Sequence, residues 1–240
     1  DGDCSVIRGW LEAAWEAINE DPKRAVICGR RRERSPNETI YNRLCDMEWD
    51  GLPGEVSSCG GDALIRLSAF QEVGGFNPAM IAGEEPERCV RLREAGWKIV
   101  RIEKDMAWHD AAMSRFKQFW KRAERAGHAY AEGNALHGHR PERFRRKEVR
   151  SVVFWAGVFP AAMLLLAVPT FGATLLLALA AYRRQYRRIR EHRIDCGDLP
   201  INARRYAKFV LIGKFAQLSG VIRYWVRRVL RRRPTLIEYK

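Results

Sequence analysis

The sequence predicts an α/β unit followed by a helical, membrane-associated region. Three observations predict it: short apolar runs alternating with amphipathic stretches through about residue 112, an uncharged run from Ser151 to Tyr182, and arginine-rich segments on both sides of that run. The chain has 240 residues and a formal net charge of +14. Such a length accommodates one or two domains with a sizeable core, and the charge implies an anionic partner: nucleic acid, acidic lipid or a phosphorylated substrate. Cys4, Cys28, Cys45, Cys59, Cys89 and Cys196 form no CxxC pair and stand at no zinc-finger spacing from a histidine pair. This argues against a zinc module and a dense disulfide framework, and it suits a reducing compartment. His137 and His139, an HxH in a polar stretch, read as solvent-facing loop.

The chain opens on DGDCSV, without an initiator Met or a signal-peptide pattern. The triplet reads as the end of a buried strand, so the chain is expected to be the C-terminal part of a longer protein. On extended backbone Asp1 and Asp3 share a face and can approach one ligand. Paired carboxylates suit Mg2+ or Mn2+ bound to a diphosphate; an ordinary loop triplet is the other reading. Gly9–Asn19 has helical spacing with Leu11, Ala14, Trp15 and Ile18 on the apolar side, and Ala25–Gly29 reads as a buried strand. Arg30–Arg34 reads as a solvated strand exit, with phosphate contact as the alternative, and Ser35-Pro36-Asn37 starts a helix running to about Trp49.

Asp50–Gly54 is a turn cluster, followed by Cys59-Gly60-Gly61-Asp62, a strand at Ala63–Arg66, a short helix from Ser68 and the segment Val73–Pro78. Gly60 and Gly61 let backbone approach a ligand closely, and Asp62 can accept hydrogen bonds from a hydroxylated partner; a ligand-free turn is the alternative. Next comes GEEPERCVRLR, Gly83–Arg93. Pro86 fits only the first turn of a helix, so Glu84 and Glu85 lie at a helix N-terminus, where the macrodipole favours negative charge. A carboxylate held there suits a general base, and a purely structural acid at a helix start is the competing reading. Cys89, Val90 and Leu92 supply the buried side, Gly96 the C′ position, Trp97–Ile102 a strand, and His109 ends a further extended piece at Asp105–Asp110.

DGD, then a GGD-strand-helix-VGGF segment, then GEEPE-x-x-x-RLR-x-x-GWKI and a terminal His occur in the order and approximate spacing of a known family. Over about residues 1–130 the chain resembles the bacterial family 2 glycosyltransferases of GT-A fold. The resemblance implies a Rossmann-like nucleotide-diphospho-sugar transferase unit, residues 1–112, whose N-terminal half precedes residue 1. It implies that Asp1 and Asp3 hold a divalent metal, Mg2+ or Mn2+, and the donor diphosphate, with His109 completing the site. It makes Glu85 the base that deprotonates the acceptor hydroxyl, Glu84 its support, and Gly61 and Asp62 neighbours of the acceptor. Glu85 stands where the family usually has Asp, which alters the reach of the carboxylate. QFWKR, 118–122, is loosely similar to the Gln-x-x-Arg-Trp segment of processive synthases and makes Trp120 and Arg122 candidate substrate contacts. Its Trp and Arg are ordered differently, so processivity is not inferred. The implied reaction is a single inverting displacement from a nucleotide-sugar donor to a glycan or lipid-linked acceptor, in cell-envelope polysaccharide or glycolipid synthesis.

Downstream, residues 113–150 read as an amphipathic interface helix and basic linker, with Phe116, Phe119, Trp120 and Tyr130 among Lys117, Lys121, Arg122 and Arg125. The uncharged run 151–182 would reach about 48 Å as one helix against a hydrocarbon core of about 30 Å. Pro160, Pro169 and Gly172 offer bends, and basic flanks at both ends place both on one side. A helical hairpin turning near 168–172, spanning or re-entrant, satisfies this; a buried helix pair of a soluble core is the alternative. Residues 183–240 read as a basic tail with an amphipathic helix over Pro200–Arg233. Anionic membrane lipid then accounts for the charge, with the catalytic unit on the cytoplasmic side of a bacterial inner membrane. A non-catalytic membrane scaffold on a degenerate transferase fold is the rival class. A nucleic-acid module has no binding motif here and is not expected.

Overall fold

The computed structural model describes residues 2–231, so Asp1 and the end of the predicted C-terminal helix lie outside the described residues. The chain divides into two units near Phe116. The first is mixed α/β. Its strands are β1 (Cys4–Val6), β2 (Arg24–Glu33), β3 (Gly54–Glu55), β4 (Leu64–Ile65) and β5 (Lys98–His109); its helices are α1 (Trp10–Asn19), α2 (Ile40–Trp49), α3 (Leu67–Glu72) and α4 (Glu84–Glu94). The sheet is ordered β1-β5-β2-β4, with β3 also on β5. β2 and β5 run parallel, and the other pairings are antiparallel.

Ala25, Val26, Ile27 and Cys28 are wholly buried, as expected of a β2 covered on both faces. The strand continues through the arginines to Glu33, which corrects the expected solvated exit. Each arginine meets an acid brought from elsewhere: Arg30 Asp50, Arg31 Asp62 and Arg32 Asp105. β5 is likewise one twelve-residue strand rather than two pieces. α2 starts later than predicted because Thr39, not Ser35, caps it, its hydroxyl accepting from the Asn42 N–H at 3.1 Å. α1 buries Trp10, Ala14, Ala17 and Ile18, while Leu11 and Trp15 are exposed. The inward stripe is therefore rotated from the expected one: alanines let the helix lie close on the sheet, and a second tryptophan would hold it off.

The second unit is helical: α5 (Phe116–His137), α6 (Arg146–Val153), a π-helical turn at Phe154–Val158, α7 (Phe159–Leu165), α8 (Ala173–Asp195) and α9 (Pro200–Val229). From Arg146 to Leu165 the chain is one helix long and apolar enough to cross a membrane. The expected turn lies at 166–172, with Phe171 at its tip 99% exposed. The two arms are unequal, because α8 meets Arg183 after ten residues, roughly 15 Å of apolar helix. Trp155, Phe159 and Tyr182 cluster close to that charge boundary, and the Tyr182 hydroxyl donates to the Trp155 carbonyl. His137 is buried at the end of α5 with its ring edge-on to Phe144, which corrects the predicted solvent-facing loop.

α5 and α9 touch backbone to backbone. A Cβ on Gly127 would lie 2.0 Å from the Gln217 carbonyl oxygen, and one on Gly220 2.0 Å from that of Glu124. Beside the contact Glu124 is buried and bridges Lys121 at 2.8 Å and Arg223 at 3.0 Å. Gly220→Ala is therefore expected to destabilise this unit by about 1–3 kcal/mol. A melting temperature in detergent micelles equal to that of the parent would contradict the crossing.

His128 is buried in the same seam, edge-on to Tyr224, with Glu132 at 3.6 Å and Glu124, Arg223 and Arg227 as its charged neighbours. Burial, then the two arginines, lowers its pKa from 6.5 to about 4. Because the folded value is the depressed one, the contribution of neutral His128 is complete above pH 6.5 and is lost as pH falls through about 4. The loss amounts to roughly 3 kcal/mol. His128→Phe is expected to flatten the pH dependence of chemical denaturation across that window; an unchanged slope would remove His128 as its source.

Candidate functional site

The parallel register of β2 on β5 pairs Arg31 with Ala107, Arg32 with Trp108 and Glu33 with His109. β1 lies on the opposite edge of β5, with Cys4 across from His109. Asp3 thereby reaches His109, Oδ2 to Nε2 3.7 Å, and the backbone carbonyl of Asp3 accepts from the Asp110 N–H at 2.9 Å. Asp3, Cys4 and His109 each offer one ligand atom, all within 4.8 Å of one another. Asp1, the other predicted ligand, lies outside the described residues.

Buried polar groups hold the exit of β5. The Glu33 carboxylate accepts from the Ser35 and Ala111 N–H groups at 3.1 and 2.9 Å, and burial raises its pKa. The Asn42 side-chain oxygen accepts from the Met113 N–H at 3.1 Å, and the Thr39 hydroxyl donates to the Met113 carbonyl at 2.6 Å. Trp49 packs its ring on His109 with centroids 4.7 Å apart. Glu33, Thr39, Asn42 and Trp49 all lie distant in sequence from His109, and none of them is a site candidate from the sequence.

Asp62 lies next to this end of the sheet. Its Oδ2 accepts from Arg31 Nε at 2.8 Å and stands 3.7 Å from the Cys4 thiol, and Arg31 also lies over the Trp49 ring at 5.4 Å. Burial first, then the Asp62 charge, pushes Cys4 up to about 11. A Cβ at Gly61 would come within 3.2 Å of the Arg31 guanidinium, so Arg31 runs along the glycine turn. The turn then leads to Cys59 and α4.

At the head of α4, Gly83 takes φ 81°, a left-handed conformation that favours glycine, and Pro86 sits in the first turn. Gly96 closes the helix as predicted, with the Trp97 N–H donating to the Leu92 carbonyl at 3.0 Å. Glu85 is fixed by three donors, all on Oε1: the Cys59 N–H at 2.8 Å, the Cys59 thiol at 2.9 Å and the Cys89 thiol at 3.0 Å. That leaves Oε2 as the oxygen able to take a proton. The hydrogen bond with Cys89, burial and the Glu85 charge raise the Cys59 pKa far above the usual thiol range. Arg88 is buried with its guanidinium over Phe76 at 4.4 Å, and Arg91 ties Glu87 to the carbonyls of Val73 and Gly75.

Asp3, His109, Asp62, Gly61 and Glu85 thus belong to one continuous set of contacts in the first unit. Glu84 is partly buried beside Glu85. Trp120 and Arg122 lie on α5, in the second unit. No protein-family model matches the chain, and no curated protein matches it.

Proposed function

We propose that the chain is the acceptor-side part of a membrane-associated inverting glycosyltransferase of GT-A type that uses a nucleotide-sugar donor. The observation that carries the reading is the contact series from Asp3 and His109 through Asp62 to Glu85, with Glu85 offering Oε2. Such a series would bring a diphosphate-bound cation and a base into one run of contacts in the first unit. Asp3 and His109 would hold the cation, which supplies positive charge against the leaving diphosphate. An imidazole beside a carboxylate suits Mn2+ better than Mg2+.

In this reading Glu85 accepts the acceptor hydroxyl's proton on Oε2, while the donors on Oε1 fix the carboxylate's orientation. Asp62, held by Arg31, orients the acceptor hydroxyls. Glu84 adds negative charge at the helix start. The Arg146–Leu165 helix supports placement at a bilayer, proposed here as the bacterial inner membrane, where a glycan or lipid-linked acceptor and anionic lipid are at hand.

A non-catalytic scaffold is the second reading, favoured by the caging of Glu85 between two thiols. Glu85→Gln in the complete protein discriminates. Transfer of radiolabelled sugar is expected to fall about 10²–10⁴-fold, with donor affinity by calorimetry unchanged. Transfer at the parental rate would sink the base assignment, and absence of cation-dependent donor binding would favour the scaffold.

A further inference from the structure

Cys59, Glu85 and Cys89 form a second cluster with metal-ligand chemistry, differing in donor type from Asp3 and His109. We propose that Cys59 Sγ, Cys89 Sγ and Glu85 Oε1 form a site for one thiophilic divalent cation of the zinc class. Its binding is independent of the transferase reading, and only its effect on transfer rests on that reading.

The spacing favours a cation over the other chemistry open to two thiols. Around tetrahedral zinc, with Zn–S about 2.3 Å and Zn–O about 2.0 Å, two sulfurs lie about 3.8 Å apart and a sulfur and an oxygen about 3.5 Å. The Cys59 and Cys89 sulfurs are 3.9 Å apart, so they already stand at that separation. The carboxylate oxygen, at 2.9 and 3.0 Å from them, needs to withdraw by about half an ångström. A disulfide instead requires sulfurs about 2.05 Å apart, and thus a movement of nearly 2 Å within the core.

The donors also select the ion. Two thiolates favour zinc or cadmium over Mg2+ and Mn2+. On binding, each thiol gives its proton to solvent and its sulfur donates an electron pair to the cation; nothing is oxidised or reduced. Two thiolates and one carboxylate against a divalent cation leave one negative charge, which Arg88 balances. Arg88 is buried with Nη2 3.9 Å from Cys59 Sγ, and among the described residues its Nε and Nη1 have no hydrogen-bond acceptor. The ion can therefore enter without stranding charge in the interior. Three protein ligands leave a fourth position, and the exposed Gly60 and half-buried Glu85 give solvent a route to it. For a transferase, an ion on Oε1 lowers the basicity of the whole carboxylate and makes thiophilic metal an inhibitor.

The test is titration of the reduced full chain in detergent micelles with Cd2+, read by thiolate-to-metal charge-transfer absorbance in the ultraviolet. One equivalent is expected to saturate the band; Cys59→Ser and Cys89→Ser each remove it, and Cys4→Ser and Cys196→Ser leave it. Because the two buried cysteines support the core, X-ray absorption of the unsubstituted zinc-loaded chain supplies a second readout, with two sulfur neighbours expected at about 2.3 Å. Absence of Cd2+ uptake, a band that survives loss of Cys59 or Cys89, or a zinc spectrum with only oxygen and nitrogen neighbours overturns the proposal. None of these outcomes depends on sugar transfer.

Discussion

The parallel pairing of β2 with β5 is the constraint on which the first unit depends. It buries the apolar half of β2 and carries three consecutive arginines beside the strand that ends at His109. An arginine row on a half-covered strand is tolerable only where acids meet it, and Asp50, Asp62 and Asp105 do so from three different segments. The partner of Arg31 is also the residue that leads into the glycine turn and to α4. Strand pairing, charge neutralisation and site assembly are therefore one arrangement. Moving the register by a single residue would turn Arg31 to the other face of the sheet and dismantle the contact series.

The carboxylate at Glu85 is held in an unusual manner. Thiols are weak donors, so two of them beside one backbone N–H orient an oxygen while withdrawing less of its electron density than stronger donors. The Cys89 hydrogen bond, burial and the Glu85 charge keep the Cys59 sulfur in the protonated form in which it can donate. The same softness makes them ligands once a suitable cation is present, so orientation of an acid and capture of a metal draw on the same atoms.

What was legible in the sequence was what local chemistry decides. Pro86 and Gly96 bracket α4, and the Cys89–Leu92 face is buried as its spacing requires. The bend in the uncharged run falls where Pro169 and Gly172 allow it. Features decided by distant partners were not legible. Charges at Glu103, Lys104 and Asp105 interrupt the apolar pattern of β5, yet pairing with β2 carries the strand through them. The apolar residues of α1 permit two inward stripes, and only the closeness of the sheet selects the one containing Ala17. Trp49, Arg31 and the Cys59 thiol become site residues through contacts spanning 26 to 60 positions, which no local pattern announces.

Arg91 has a mechanical meaning. One guanidinium grips Glu87 on its own helix and the carbonyls of Val73 and Gly75 in the preceding loop. Helix and loop are therefore a single stiff body, because lifting the loop alone would strip several charge-assisted hydrogen bonds at once. Compliance is left to the link between them, around residues 77–82, where short turns with few side-chain anchors join the loop to Gly83. Any breathing that widens the approach to Glu85 without breaking this clamp must carry the loop and α4 together, as one rigid lever.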